Sequence, residues 1–158
     1  MRVLYMMHDS FSHEYAFMSF DDLSQRYRKL LMSANGAMKN YYDPYKNNMI
    51  GASVLTESGK MISAANVNNS SSINSTCAER SAVAKANSMG ERMFRAVAVM
   101  GKPGNGKNYT ITPCGSCRQV IYEFARYSKR DLDVIMSNGT MDKIIVLKIS
   151  ELLPLAYR

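Results

Sequence analysis

Apolar positions recur at helical spacing between Leu23 and Met38, where Leu23, Tyr27, Leu30, Leu31, Ala34 and Met38 share one face. The spacing predicts a helix over about 20–41, opened by a capping box between Ser19 and Asp22 and broken by Asp43-Pro44. Residues 49–56 are strand-like, Ser58-Gly59 makes a turn, and 60–67 returns as the second strand of a hairpin. Residues 68–75 are polar apart from Ile73 and read as a loop. A second helix opens at Thr76, runs to about Met89 and stops at Gly90.

Residues 94–100, apolar apart from Arg95, read as a strand buried on both faces. A Gly-rich loop covers 102–108. It lacks the Gly-Lys-Ser/Thr ending and the helix start of a phosphate loop. Residues 110–113 lead into a third helix with Val120, Ile121, Phe124 and Ala125 as its buried stripe. Residues 132–136 and 144–149 are strands around a hairpin-type turn at Asn138-Gly139, and 151–157 form a short helix or tail. Residues 1–18 show no clear period and read as a loosely attached extension, leaving 19–158 as one domain. The order α-β-β-α-β-α-β-β implies a three-layer α/β/α fold around a mixed sheet of about five strands.

A chain of 158 residues, 46% of them hydrophobic, suits a single core, and no apolar run approaches the length of a membrane span. The N-terminus carries His8, Asp9, His13 and Glu14 and lacks the order of a signal peptide, so the expectation is a soluble cytoplasmic protein. The net charge of +7 is scattered, with no block denser than Arg26, Arg28 and Lys29. A solubilising basic surface fits that scatter better than a nucleic-acid partner.

The three cysteines fall in two patterned segments, Thr76-Cys77-Ala78-Glu79-Arg80 and Thr112-Pro113-Cys114-Gly115-Ser116-Cys117-Arg118-Gln119. An odd, low count argues against a disulfide scaffold and points to metal or catalysis. Both segments lie where a helix begins, and the free N–H groups and dipole there stabilise a thiolate, the form that binds zinc. Cys114 and Cys117 share one face of a turn, and Cys77 adds a third ligand from another helix. Three protein ligands are the arrangement of a catalytic Zn2+. Three thiolates leave the site net negative; Arg80 and Arg118 are placed to offset that charge, with ordinary surface charge as the alternative for both. Glu79 either caps the helix with Thr76 or moves protons at the metal, and the thiolates around it favour the second role. A Cys-Gly-Ser-Cys redox pair leaves Cys77 and Glu79 without a task. A closed structural zinc needs a fourth ligand, for which the chain offers only His8 and His13.

Zinc deaminases carry a ligand-x-Glu motif followed by Pro-Cys-x-x-Cys. Cys77-Ala78-Glu79-Arg80, with residues 113–119, resembles the cytidine deaminase family, which includes the blasticidin S deaminases, with Cys in place of His as first ligand. The likeness runs from about Ala34 to Tyr157 and takes in Pro44-Tyr45, Ile50-Gly51-Ala52, Asn66-Val67 and Glu151-Leu152-Leu153-Pro154. The resemblance implies zinc-dependent hydrolysis at C4 of cytidine or deoxycytidine, giving the uracil nucleoside and ammonia, as in pyrimidine salvage. It implies that Glu79 transfers protons, that the Ala78 N–H contacts the base, that Asn66 holds the ribose hydroxyls, and that Tyr157 helps cover the substrate. It also implies a homotetramer, or a dimer, in which neighbours complete each site. Three positions depart from the family pattern. Asn68 stands where a carboxylate is usual, Asn48 where a base-stacking Phe is usual, and Ser72 where a Tyr is common. A modified or related cytosine nucleoside, blasticidin-like, or a nucleotide is therefore an alternative substrate. A zinc-stabilised RNA-binding module without turnover is the alternative outside enzymes, supported by charge alone.

Overall fold

The computed structural model describes residues 2–6 and 12–157. Strands β1 (Arg2–Met6) and β2 (Ser12–Ala16) pair antiparallel in a sheet of their own, in a stretch where the sequence pattern predicts no element. Backbone pairing of two strands does not require an alternating sequence, and residues 1–18 show no clear period. His8 and Asp9 lie outside the described residues.

The capping box at Ser19 closes a single 3-10 turn, Phe20–Asp22, and does not open a long helix. The Asp22 carboxylate accepts from both the Ser19 N–H and its hydroxyl at 2.8 Å. The chain then breaks at buried Leu23, and helix α1 (Gln25–Met38) starts afresh with Ser24 Oγ accepting from the Tyr27 N–H at 3.3 Å. Strands β3 (Met49–Thr56) and β4 (Met61–Ala65) form the hairpin, helix α2 (Ala78–Ser88) follows, and β5 (Phe94–Lys102), helix α3 (Gly115–Tyr127), β6 (Asp133–Asn138), β7 (Ile144–Lys148) and the one-turn α4 (Ile149–Leu152) complete the chain. Gly90, at φ 78, takes the left-handed conformation that ends α2.

The five strands β3 to β7 join in one mixed sheet, ordered β4-β3-β5-β6-β7, with β5 and β6 parallel and the other neighbours antiparallel. Alternation along the strands builds a core on each face. Leu30, Leu31, Ala34 and Met38 of α1 pack against Leu55, Ala96, Ala98, Met100 and Ile135. On the other face Ala82, Val83 and Ala86 of α2 and Ile121 and Ala125 of α3 cover Ala52, Val54, Val97, Val99, Val134 and Met136. The result is the α/β/α layering expected from the element order. One irregularity breaks the alternation. The register skips between Leu55 and Thr56, which pairs with Phe94, so Phe94 joins Val97 and Val99 on the α2–α3 side although it is an odd number of residues away.

This topology defines one end of the sheet. The start of β3 pairs with the end of β5, Ile50 opposite Gly101 and Met49 opposite Lys102. The crossover from β5 to β6 runs through α3, so the carboxyl ends of the parallel pair open beside the first turn of that helix. In α/β sheets that position hosts ligands.

Candidate active site

Cys77 and Cys114 are themselves the N-cap residues of α2 and α3, each in extended backbone conformation and neither making a side-chain cap bond. Their sulfurs are therefore free to meet in front of two helix starts. Cys77 Sγ lies 3.9 Å from Cys114 Sγ, and Cys114 Sγ lies 3.5 Å from Cys117 Sγ. All three ligand atoms fall within 4.8 Å of one another. Thiolates held 2.3 Å from a tetrahedral zinc stand about 3.8 Å apart, so the spacing fits the ion. Among the described residues no His, Asp or Glu joins the three as a ligand. The three cysteines are free thiols.

The surroundings favour thiolate at Cys77. The Cys117 S–H directed at Cys77 holds the Cys77 thiol down to about 6; burial opposes this, while Cys114 and the Arg80 charge assist it. Cys117, as donor to Cys77 and in a buried position, is pushed up. Arg80 Nη2 donates to the Ser75 carbonyl at 2.8 Å, and its Nε is buried with no protein partner among the described residues. Arg118 is engaged elsewhere. Its Nε donates to the Pro113 carbonyl at 2.9 Å and its Nη1 to that of Leu152 at 3.1 Å, tying α4 to the start of α3.

Glu79 occupies the second position of α2 and is 4% exposed. With Cys77 as the cap, Glu79 has no capping-box partner at Thr76. Burial pushes its carboxyl up to about 7; the neighbouring Cys77 charge adds to this, against its own N–H, the Cys117 S–H and Arg80. A buried carboxyl poised near neutrality can both take and give a proton.

Glu79, Cys77, Cys114 and Ala78 open onto a cleft of about 280 Å³. Asn48, Asn66 and Asn68 line it together with Ile50, Pro103, Tyr109, Ile111 and Thr112. Asn66 is buried and bridges two strands' ends: its Oδ1 accepts from the Ile50 N–H and its Nδ2 donates to the Asn48 carbonyl, both at 3.0 Å. Asn68 meets Asp43, a buried residue that sequence reasoning did not single out. Burial alone would raise the Asp43 carboxyl. The N–H groups of Asn48 and Lys46, the Asn68 amide and the Tyr45 N–H outweigh it and hold the group below its ordinary value. Tyr157 is 84% exposed and does not line the cleft; its backbone pairs reciprocally with the Gln119 side chain, at 3.1 and 3.0 Å. Tyr109 and Ile111 were also missed. They alternate with buried Thr110 as extended chain does, which is the one local signal that marks them.

Residues 24–129 match the family described as the cytidine and deoxycytidylate deaminase zinc-binding region. The chain belongs to this family. A cytidine deaminase of Sporosarcina psychrophila is 37% identical over 131 residues, 82% of this chain and 89% of that one. A blasticidin-S deaminase of Bacillus cereus is 28% identical over 141 residues, 86% of this chain and 95% of that one. The crystal structure of a cytidine deaminase from Burkholderia pseudomallei superposes with a TM-score of 0.74 at 35% identity, covering 85% of this chain and all of the other. The cysteine cluster thus sits in the zinc-binding region of a deaminase fold. Among the described residues no helix is long and apolar enough to cross a membrane.

Proposed function

We propose that the chain catalyses the zinc-dependent hydrolytic deamination of cytidine or deoxycytidine, releasing the uracil nucleoside and ammonia. The observation that carries this reading is the convergence of three sulfurs from two helix starts beside a buried carboxyl. Cys77, Cys114 and Cys117 hold the zinc. When bound, it supplies the Lewis acidity that readies water for attack on the ring carbon bearing the amine.

The chain's residues do the rest. Glu79 takes a proton from the attacking water and delivers it to ring N3, then takes the proton of the new C4 hydroxyl and passes it to the departing amine, so that a C4 carbonyl forms as ammonia leaves. Its burial beside the three sulfurs places it for that exchange. The Ala78 N–H, in the first turn of α2, points a donor at the base. Asn66 spends one N–H and one lone pair on the backbone and retains a second of each for a sugar hydroxyl. Asn68 adds an uncharged amide to the same wall. Arg80, with the two helix ends, offsets the thiolates' charge, and Arg118 adds a further cation beside Pro113.

The enzyme works in the cytoplasm, where free thiols persist, and serves pyrimidine salvage. It is a homotetramer. Ile73, Leu155 and Tyr157 are 91%, 95% and 84% exposed, and an assembly would cover them. Tyr157, away from its own cleft, caps substrate only across a subunit boundary.

Asn48 and Asn68 favour one second reading, a modified cytosine nucleoside of the blasticidin kind, because both bring neutral amides to the cleft. Turnover of a panel of cytosine derivatives, followed by ultraviolet absorbance and ammonia release, separates the two. Cytidine and deoxycytidine are expected to lead. A large preference for a modified nucleoside would move the assignment to the second reading. Ammonia from no member of the panel would refute deamination.

A further inference from the structure

Asn48 stands where the resemblance puts an aromatic residue, and the structure gives its side chain another task. Asn48 Oδ1 accepts from the Gly104 N–H at 3.0 Å. Its own N–H donates to Asp43 Oδ2 and its carbonyl accepts from Asn66 Nδ2, each at 3.0 Å. Three bonds therefore fix the residue. Gly104 reaches the clasp because it has no side chain: a Cβ there would stand 1.9 Å from the Lys46 carbonyl oxygen.

The loop that begins at this clasp is tied again at its far end. Thr110 Oγ1 donates to the Lys143 carbonyl at 2.9 Å, and the Ile111 N–H donates to that of Ser137 at 3.2 Å. Asn108 Oδ1 accepts from Asn138 Nδ2, a fully buried amide, at 2.9 Å. Tyr109 lies between the two ties. It is partly buried and, among the described residues, is the one aromatic residue lining the cleft, in company with the apolar Ile50, Pro103 and Ile111.

The geometry points to Tyr109 as the aromatic face against which the substrate's base stacks, with Asn48 as a positioning residue that acts through it by clasping Gly104. This rests on the nucleoside reading above. A flat heterocycle entering the cleft needs an apolar surface on its face as well as polar partners on its edge. Tyr109, in the loop between β5 and α3 and anchored on both sides, supplies such a surface at little cost in lost motion.

The test compares kinetics of zinc-loaded wild type with Tyr109→Leu, Tyr109→Phe, Asn48→Ala and the double variant Asn48→Ala/Tyr109→Leu. Tyr109→Leu keeps apolar bulk and removes the ring. It is expected to raise KM for cytidine about tenfold or more, with kcat within about threefold, as loss of base–aromatic stacking implies. Inhibition by the product nucleoside weakens in parallel, because its base offers the same face. Tyr109→Phe stays near wild type, since the ring and not the hydroxyl binds. Asn48→Ala raises KM in the same direction, and the double variant is no worse than Tyr109→Leu alone. An unmoved KM in Tyr109→Leu, a loss in Tyr109→Phe equal to that in Tyr109→Leu, or additive losses in the double variant would overturn the inference while deamination stands. A wild-type enzyme that releases ammonia from no cytosine nucleoside would remove the reading of the site and this inference together.

Discussion

Glu79 and Asp43 are both buried carboxyls, and their surroundings shift them in opposite directions. Asp43 keeps its charge through backbone N–H groups and the Asn68 amide, which hold its carboxyl below the ordinary aspartate value. A carboxyl depressed in the folded state contributes stability above its unfolded value and loses it as pH falls through the folded one. Melting temperatures measured downward from about pH 5 should therefore fall less steeply in Asp43→Asn than in wild type. An acid limb of unchanged slope would contradict that assignment. The same contact constrains position 68. Asn68→Glu sets a second carboxylate beside an ionised one and is expected to cost roughly 1–3 kcal/mol in urea unfolding, whereas Asn68→Gln retains a donor and costs less.

At the scale of elements, α1 is held by its apolar stripe and not by intrinsic propensity. Leu30 and Leu31 are fully buried against β3, β5 and β6. Leu31→Ala should cost about 2–5 kcal/mol by chemical denaturation. A loss below about 1 kcal/mol would mean the layer does not pack as described. Strands β3, β5 and β6 were legible in the sequence because helices cover both their faces and their residues are almost all apolar. The start of α1 was not, because the Ser19–Asp22 pattern is satisfied equally by one 3-10 turn, and buried Leu23 pulls the chain out of helix. The metal cluster was legible because its residue types carry chemistry and their spacing tracks helix starts. Asp43, Tyr109 and the Asn48 clasp were not. Their roles come from contacts between segments far apart in the chain, such as Asn48 with Gly104, and no local period records those.

For the whole molecule, the zinc site joins the starts of helices α2 and α3. Its removal should loosen the α2–α3 layer more than the α1 layer. Chelation is expected to lower the melting temperature in proportion to free-zinc depletion, because metal binding to the native state is linked to folding. Hydrogen exchange should rise first at the starts of α2 and α3. The scattered charge of +7 predicts only weak, salt-sensitive association with RNA. Light scattering on the purified chain, 17.7 kDa per subunit, is expected to give the mass of a tetramer, and a monomer would contradict the shared-site arrangement proposed for Tyr157.

Everything chemical depends on Glu79 acting as a proton carrier beside a metal that it does not hold. Glu79→Gln preserves shape and leaves all three sulfurs in place. Parallel measurement of its zinc content and its ammonia release from cytidine separates the two functions. The account predicts one zinc per chain, as in wild type, with kcat lowered by about 10²–10⁴. Full turnover in the zinc-loaded variant, or loss of the metal along with activity, would contradict it.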